Sequence, residues 1–479
     1  MSIKADVVNA LWWTAAGRLA GQLGSWAITI YVIRILQPAD YGLMSMATVL
    51  MGFAMLLNEL GVIPALIQSR RVDDQLIRQL FGFVIISNML TFCLLFIIAP
   101  GLSTFFGEPR LTAVARVLAV TMLIGSVSAV PTALLERDLQ FRGISLLEFL
   151  YMILGSGTTL VLAIEGFGVW SLVLSSIVAT TAKTIGIFVV SGFRLLPLFR
   201  VAGLKSIFVF GANITGQRIL WYVNMSADVV LVGKLLGDQA LGIYSVAFQL
   251  ATLPVSKTFG TINRVAFPAY AQLQSVSRQA ADYFVTSVRL SWLVLCPILW
   301  GMSSVSHEFV EVFMGRNWED AGVVLMLVPL IVPFRVIFLL MSPFTDGLGR
   351  PDIGLRNLLT SITLIPLAIL AGTSWGLTGV CVALIIASIL ALLINLRRSL
   401  GLLELRPEAL FNAVAPAAIA AAVMYASVWL VKGFVFADAA AGWRLCGAIA
   451  SGVIVYTGMT FMINRSAVDQ LLSLLRVRA

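Results

Sequence analysis

The sequence predicts an all-α, polytopic membrane fold. About fourteen transmembrane helices form two six-helix lobes, related by a parallel internal repeat, with an added C-terminal helix pair. Three observations lead there. Hydrophobic types make up 59% of the 479 residues and charged types only 11%, against about 25% charged in a soluble domain. Apolar runs of about twenty residues, each long enough to cross roughly 30 Å of hydrocarbon, recur from end to end. Basic residues collect in alternate turns between these runs. A membrane β-barrel would instead show alternating segments of about ten residues.

The runs lie near 10–36, 41–67, 79–100, 112–135, 145–164, 168–190, 207–235, 240–262, 285–305, 321–345, 355–373, 376–396, 410–431 and 444–463. The first ends at Gln37-Pro38. Proline cannot extend the helical hydrogen-bond ladder and biases the residue before it away from helix. Asp40-Tyr41-Gly42 then opens the second run, which Arg70 and Arg71 close. "FFGEPR" (105–110) separates the third and fourth, and "ERDLQF" (136–141) the fourth and fifth. A basic stretch from Arg194 to Lys205 precedes the seventh, and Gly237-Asp238 divides the seventh from the eighth. The acidic "HEFVEVFMGRNWEDAG" (307–322) leads into the tenth; Arg397, Arg398 and Arg406 precede the thirteenth. The tail "NRSAVDQLLSLLRVRA" (464–479) has the pattern of a short interfacial helix or of a frayed end. The first run is too long for a cleavable signal peptide, and none is expected.

Alternate connections, starting with the N-terminus, hold nineteen Lys and Arg on one side of the membrane and five on the other. By the positive-inside rule both termini face the cytoplasm, and the number of spans is even. The net charge of +9 is dispersed among turns rather than gathered in one stripe with aromatics, so nucleic acid is not the expected partner. Cys93, Cys296, Cys381 and Cys446 stand singly in apolar runs, with no ligand spacing. They read as small packing residues. The single histidine, His307, lacks partners for a metal site or a triad. Walker, G-x-S-x-G and H-E-x-x-H patterns are absent. The expectation is a non-enzyme with no metal and no cofactor beyond a coupling ion.

At an offset of 200 residues "IRILQPADYGLMSMA" (33–47) lies over "GKLLGDQALGIYSVA" (233–247). Leu36 meets Leu236, Gly42 meets Gly242, Ser45 meets Ser245 and Ala47 meets Ala247. Arg18 likewise meets Arg218, and Arg34 meets Lys234. "FFGEPR" also resembles "FMGRNW" (313–318), about eight residues further on. Six spans separate the copies, so both begin on the same side: a parallel repeat. The expected domains are an N-terminal lobe over 1–200, a second lobe over 201–400, and the helix pair with its tail over 401–479.

Arginine at the bilayer centre costs about 2.5–3.5 kcal/mol. Arg18 lies about 12 Å into the first span and Arg218 about 16 Å into the seventh, too deep to reach bulk water easily. Both are candidate cavity cations, and planar guanidinium forks suit phosphate oxygens. Trp221 and Tyr222 follow Arg218 at i+3 and i+4, on the same face, and are candidate contacts for a sugar ring or a lipid tail. Arg34 and Lys234 sit near the outer ends, where they can snorkel, and complete the candidate cationic set. Asp228 and Glu59 are in-span acids and candidate ion-coupling residues, or neutralising partners of the arginines.

"QPADYGL", "ERDLQF", "ADVVLVGKLLG" (227–237), "LGIYSVA" (241–247) and "FPAYAQLQ" (267–274) together resemble the bacterial polysaccharide flippases. These belong to the lipopolysaccharide and exopolysaccharide exporter branch of the multidrug/oligosaccharidyl-lipid/polysaccharide superfamily. The resemblance runs in order along nearly the whole chain. It implies two lobes, fourteen helices, and a place in the bacterial inner membrane. The implied substrate is an undecaprenyl-pyrophosphate-linked oligosaccharide, flipped from the inner to the outer leaflet for surface polysaccharide biosynthesis. Alternating access with proton or sodium coupling is implied too, as are polysaccharide polymerase and chain-length machinery as partners. Arg18 and Arg218 fit its cavity cations. Glu136 departs from the basic residue common before "RDL". Two alternatives in the same superfamily stand beside it. One is a peptidoglycan lipid-precursor flippase; the other is a multidrug cation antiporter, a group usually of twelve spans with acid-rich cavities. A membrane glycan polymerase needs a large external loop, and the longest here has about fifteen residues.

Overall fold

The computed structural model describes residues 24–59, 73–138, 140–200, 205–272, 277–347, 349–401 and 406–476. Eleven helices among them are long and apolar enough to cross a membrane. Two of these stretches each hold two of the predicted spans, and Gly24–Ile35 is the described part of the first. All fourteen spans are therefore matched by helix: α1 (Gly24–Ile35), α2 (Pro38–Glu59), α3 (Asp74–Phe106), α4 (Arg110–Arg137), α5 (Phe141–Ile164), α6 (Val169–Ser191), then α7 and α8 within Lys205–Gln272, α9 (Ser277–Ser304), α10 (Ala321–Gly347), α11 (Pro351–Gly372), α12 (Gly376–Leu400), α13 (Pro407–Phe434) and α14 (Ala441–Ile463). The tail forms α15 (Arg465–Arg476). This is an all-α, multi-pass membrane protein.

The helix ends follow local chemistry. Asp73 caps α3 by accepting the Leu76 N–H at 2.9 Å. Gly107 ends it in the left-handed region, where the Gly107 and Glu108 N–H groups both turn back to the Ser103 carbonyl. The proline expected to end the first span instead starts the second. Pro38 stands at the first position of α2, where its missing N–H costs nothing, and Asp40 reaches back to accept the Gln37 N–H at 3.1 Å. The repeat-related turn uses Gly237 at φ 84°, ψ −177°, a conformation open to glycine, to divide α7 from α8.

Two compact units divide the chain, 1–242 and 243–479. In the first, α4 packs against α3 and α6, and α5 packs against α6. In the second, α10 packs against α9 and α12, and α11 packs against α12. Adding six to each helix of the first set produces the second, so the internal repeat extends from sequence to packing. The added helix α13 packs against α9 and α14. It is tied there by a buried ion pair, Lys432 to Glu308 at 2.7 Å, and by the Lys432 ammonium donating to the Ser304 carbonyl at 2.8 Å. Trp318, in the acidic segment that leads into the tenth predicted span, is fully buried.

Candidate functional site

Helix α7, itself part of the first unit, carries Arg218, Trp221, Tyr222, Asp228 and Lys234 along one span. Tyr222 is held on α2: its hydroxyl donates to the Val49 carbonyl at 2.8 Å. Its ring fills the space beside Gly52, where a β-carbon would collide with the phenol. Arg218 lies one helical turn before Tyr222 and is exposed; it is the first residue of a segment, Arg218–Ser256, apolar enough to span a membrane. Trp221, between them in sequence, is half exposed. Helical spacing groups Arg218, Trp221 and Tyr222, but it does not say what lies across from each. Tyr222 is engaged with main chain, while Arg218 and Trp221 present exposed surface.

Asp228 is buried, and its carboxylate accepts the N–H of Val229 at 2.9 Å. At the far end of α7 the Lys234 ammonium donates to the Phe105 carbonyl and sits 5.0 Å from the centre of that ring. Carbonyl and ring face both favour a cation there. Arg34 is exposed near the end of α1. Arg18 lies outside the described residues, and so does the side chain of Glu59, the last residue of α2.

The same end holds a contact that residue types alone did not reveal. Gly42 of α2 lies against the main chain of Asp238, and Gly242 of α8 lies against the main chain of Pro38. Neither position has room for a β-carbon. The Asp238 carboxylate accepts from the Arg110 guanidinium at 2.9 Å, joining the start of α4 to this junction. The sequence signal was present in the glycine pair at the 200-residue offset; the contact between the copies was not.

Known proteins bear on this arrangement. A family model described as "Polysaccharide biosynthesis protein" matches residues 31–323. The chain is 28% identical over 306 residues to the teichuronic acid biosynthesis protein TuaB of Bacillus subtilis, covering 63% of each chain, a little under two thirds of the relative's length. It is 22% identical to the succinoglycan biosynthesis transport protein ExoT of Rhizobium meliloti, covering 72% of this chain and 70% of that one. It is 23% identical to the lipopolysaccharide biosynthesis protein WzxC of Escherichia coli, covering 81% and 80%. Among solved structures, the lipid II flippase MurJ in an inward closed conformation superposes with a TM-score of 0.74 at 12% identity, over 95% of this chain and 99% of that chain. A multidrug resistance MATE transporter of the MOP superfamily superposes with a TM-score of 0.63 at 16% identity, over 78% and 94%. At such identities the likeness is one of fold, and the fold is that of MOP transporters. With more than half of its length matched in this way, the chain belongs to the polysaccharide biosynthesis protein family.

Proposed function

We propose that this protein is a flippase for a polyprenyl-diphosphate-linked oligosaccharide, carrying it from the cytoplasmic to the outer leaflet of a bacterial inner membrane. The observation that carries the reading is Arg218: an exposed guanidinium at the start of a segment apolar enough to span a membrane, one turn from the tyrosine that seats its helix on α2. A diphosphate offers the paired oxygens a guanidinium fork matches. The relatives named for teichuronic acid, succinoglycan and lipopolysaccharide support a cargo bearing sugars. The basic asymmetry of the connections supports cytoplasmic termini. Movement is by alternating access, driven by an ion gradient with Asp228 and Glu59 as the coupling acids, and the flipped cargo passes to polymerising machinery.

The test is reconstitution in lipid vesicles with a fluorescent polyprenyl-diphosphate-linked oligosaccharide. Its exposure on each leaflet is read with a membrane-impermeant glycosidase. Exchange between leaflets faster than in protein-free vesicles supports the reading, and equal rates overturn it.

A further inference from the structure

The first unit contains a cleft of about 510 Å³ walled by α2, α3, α4 and α6, within the size range of small-ligand sites. It follows α4 from Glu136, at the end of that helix, to Leu118, about 27 Å along it. Two polar stripes face into it: Ser128, Thr132 and Glu136 on α4, and Ser176, Thr180 and Lys183 on α6. Spacings of three and four residues keep each stripe on one helix face. Methionines 51, 55 and 122 supply apolar lining.

The hydroxyl protons are already committed. Thr132 donates to the Ser128 carbonyl at 2.7 Å, Thr180 to the Ser176 carbonyl at 2.7 Å, and Ser176 to the Val173 carbonyl at 2.6 Å. Oxygen lone pairs remain to face the cleft, and they call for donors. Lipid tails have none. Two opposite charges, Glu136 and Lys183, line the same cleft, which does not suit a site for a simple cation. A carbohydrate matches this mixed, mainly apolar lining: hydroxyl donors for the lone pairs, polar groups for Glu136 and for Lys183, whose ammonium also lies 5.7 Å from the centre of the Tyr151 ring, and apolar C–H faces for the methionines.

The cleft also adjoins α2, the helix that holds Tyr222 of α7. Thr48 of α2 lines it, and the next residue, Val49, holds the Tyr222 hydroxyl one turn from Arg218. We propose that this cleft is a glycan subsite, taking the sugar nearest the diphosphate while Arg218 engages the phosphates. The inference rests on the flippase reading above.

The experiment uses the purified full chain in nanodiscs and two probes, farnesyl diphosphate and farnesyl diphosphate bearing an N-acetylglucosamine disaccharide. Binding is measured by titration calorimetry. The wild type is expected to bind the glycosylated probe about tenfold more tightly, the yield of one or two net hydrogen bonds. The double variant Thr132→Val/Thr180→Val, nearly isosteric, is expected to erase that preference while keeping the affinity for farnesyl diphosphate. Gly125→Leu tests the same cleft by filling it. A β-carbon at Gly125 meets nothing closer than the Thr180 methyl at 3.9 Å, so the first side-chain carbon has room there; this variant, checked for wild-type melting temperature, is also expected to lose the preference. Equal binding of the two probes by the wild type, or a preference that survives both variants, overturns the subsite alone. Binding of neither probe overturns the flippase reading, and the subsite with it.

Discussion

Gly42 lies against the main-chain carbonyl of Asp238, and a shift of 200 residues turns this pair into Gly242 against the carbonyl of Pro38. The two contacts are therefore equivalent under the internal repeat. Glycine is required at both by close approach alone; no unusual backbone angle is involved. Gly42→Ala and Gly242→Ala should each lower stability by about 1–3 kcal/mol, the usual cost of overpacking. Gly101→Ala, where the β-carbon would meet nothing within 4 Å, should cost less than either. Thermal unfolding in detergent compares the three. If Gly42→Ala unfolds no earlier than Gly101→Ala, the contact is absent from the protein in detergent.

Arg110 and Asp238 brace the same junction, but the pair is worth little in itself. The Arg110 side chain is 57% exposed, against 18% for Asp238, and screened pairs of this kind contribute about 0–1 kcal/mol. A double-mutant cycle with Arg110→Ala and Asp238→Ala should give a coupling below about 1 kcal/mol. That coupling should shrink as salt is raised from 0.05 to about 0.5 M, because the Debye length falls. A coupling insensitive to salt would show the pair to be shielded from solvent.

The ion pair under α13 behaves in the opposite way. Glu308 and Lys432 keep only 9% and 17% of their side-chain surface. Removing one partner leaves the other charged and buried, which costs about 3–5 kcal/mol. Glu308→Gln and Lys432→Gln should each lower protein abundance and melting temperature. The paired change Glu308→Leu/Lys432→Met, with no charge left behind, should recover much of the loss. A double variant worse than either single one would mean that packing, not charge, holds α13 to α9.

Much of the fold was legible in the sequence, because a membrane span has a strong one-dimensional signal. The apolar runs and polar turns foretold every helix from α2 to α14, and the Gly237 break between α7 and α8. Legibility stopped where two distant segments meet. Trp318 sits in the acidic stretch that leads into the tenth predicted span, and its burial comes from tertiary packing that composition does not encode. Gly372 and Gly379 face each other across the turn between α11 and α12; in sequence they are two ordinary glycines. Tyr222 shares a helical face with Arg218, but spacing cannot say that the Val49 carbonyl waits for its hydroxyl. The stripes of the cleft were hidden for the same reason. Serine and threonine inside a span commonly bond their own helix, and only the assembled walls show which hydroxyls share a space.

Arg218 is the sharpest test of the cargo. Arg218→Gln should abolish export while protein abundance stays near that of the wild type, since an exposed residue contributes little to folding. Arg218→Lys should restore export only in part: it returns the charge but not the planar fork. Surface polysaccharide and membrane abundance, measured together in a strain lacking the native gene, separate the two effects. Full export by the glutamine variant would remove Arg218 from the binding site.

Asp228 tests the driving force. It lies ten residues beyond Arg218, about 15 Å along α7, and is buried, its carboxylate accepting the adjacent Val229 N–H. A carboxylate in such surroundings can exchange a proton or hold a monovalent cation at a cost far below that of a permanent charge. Asparagine keeps the oxygen that accepts from Val229 and removes the charge. In vesicles with an imposed proton or sodium gradient, wild-type flux should rise with the gradient. Asp228→Asn should bind farnesyl diphosphate as the wild type does, yet show flux that ignores the gradient, and Glu59→Gln should behave likewise if the two acids act together. Retention of the full gradient response by both variants would exclude both residues as coupling sites. A third pattern points to structure instead: loss of abundance in Asp228→Asn would make Asp228 a structural group of α7 and leave the gradient to act elsewhere.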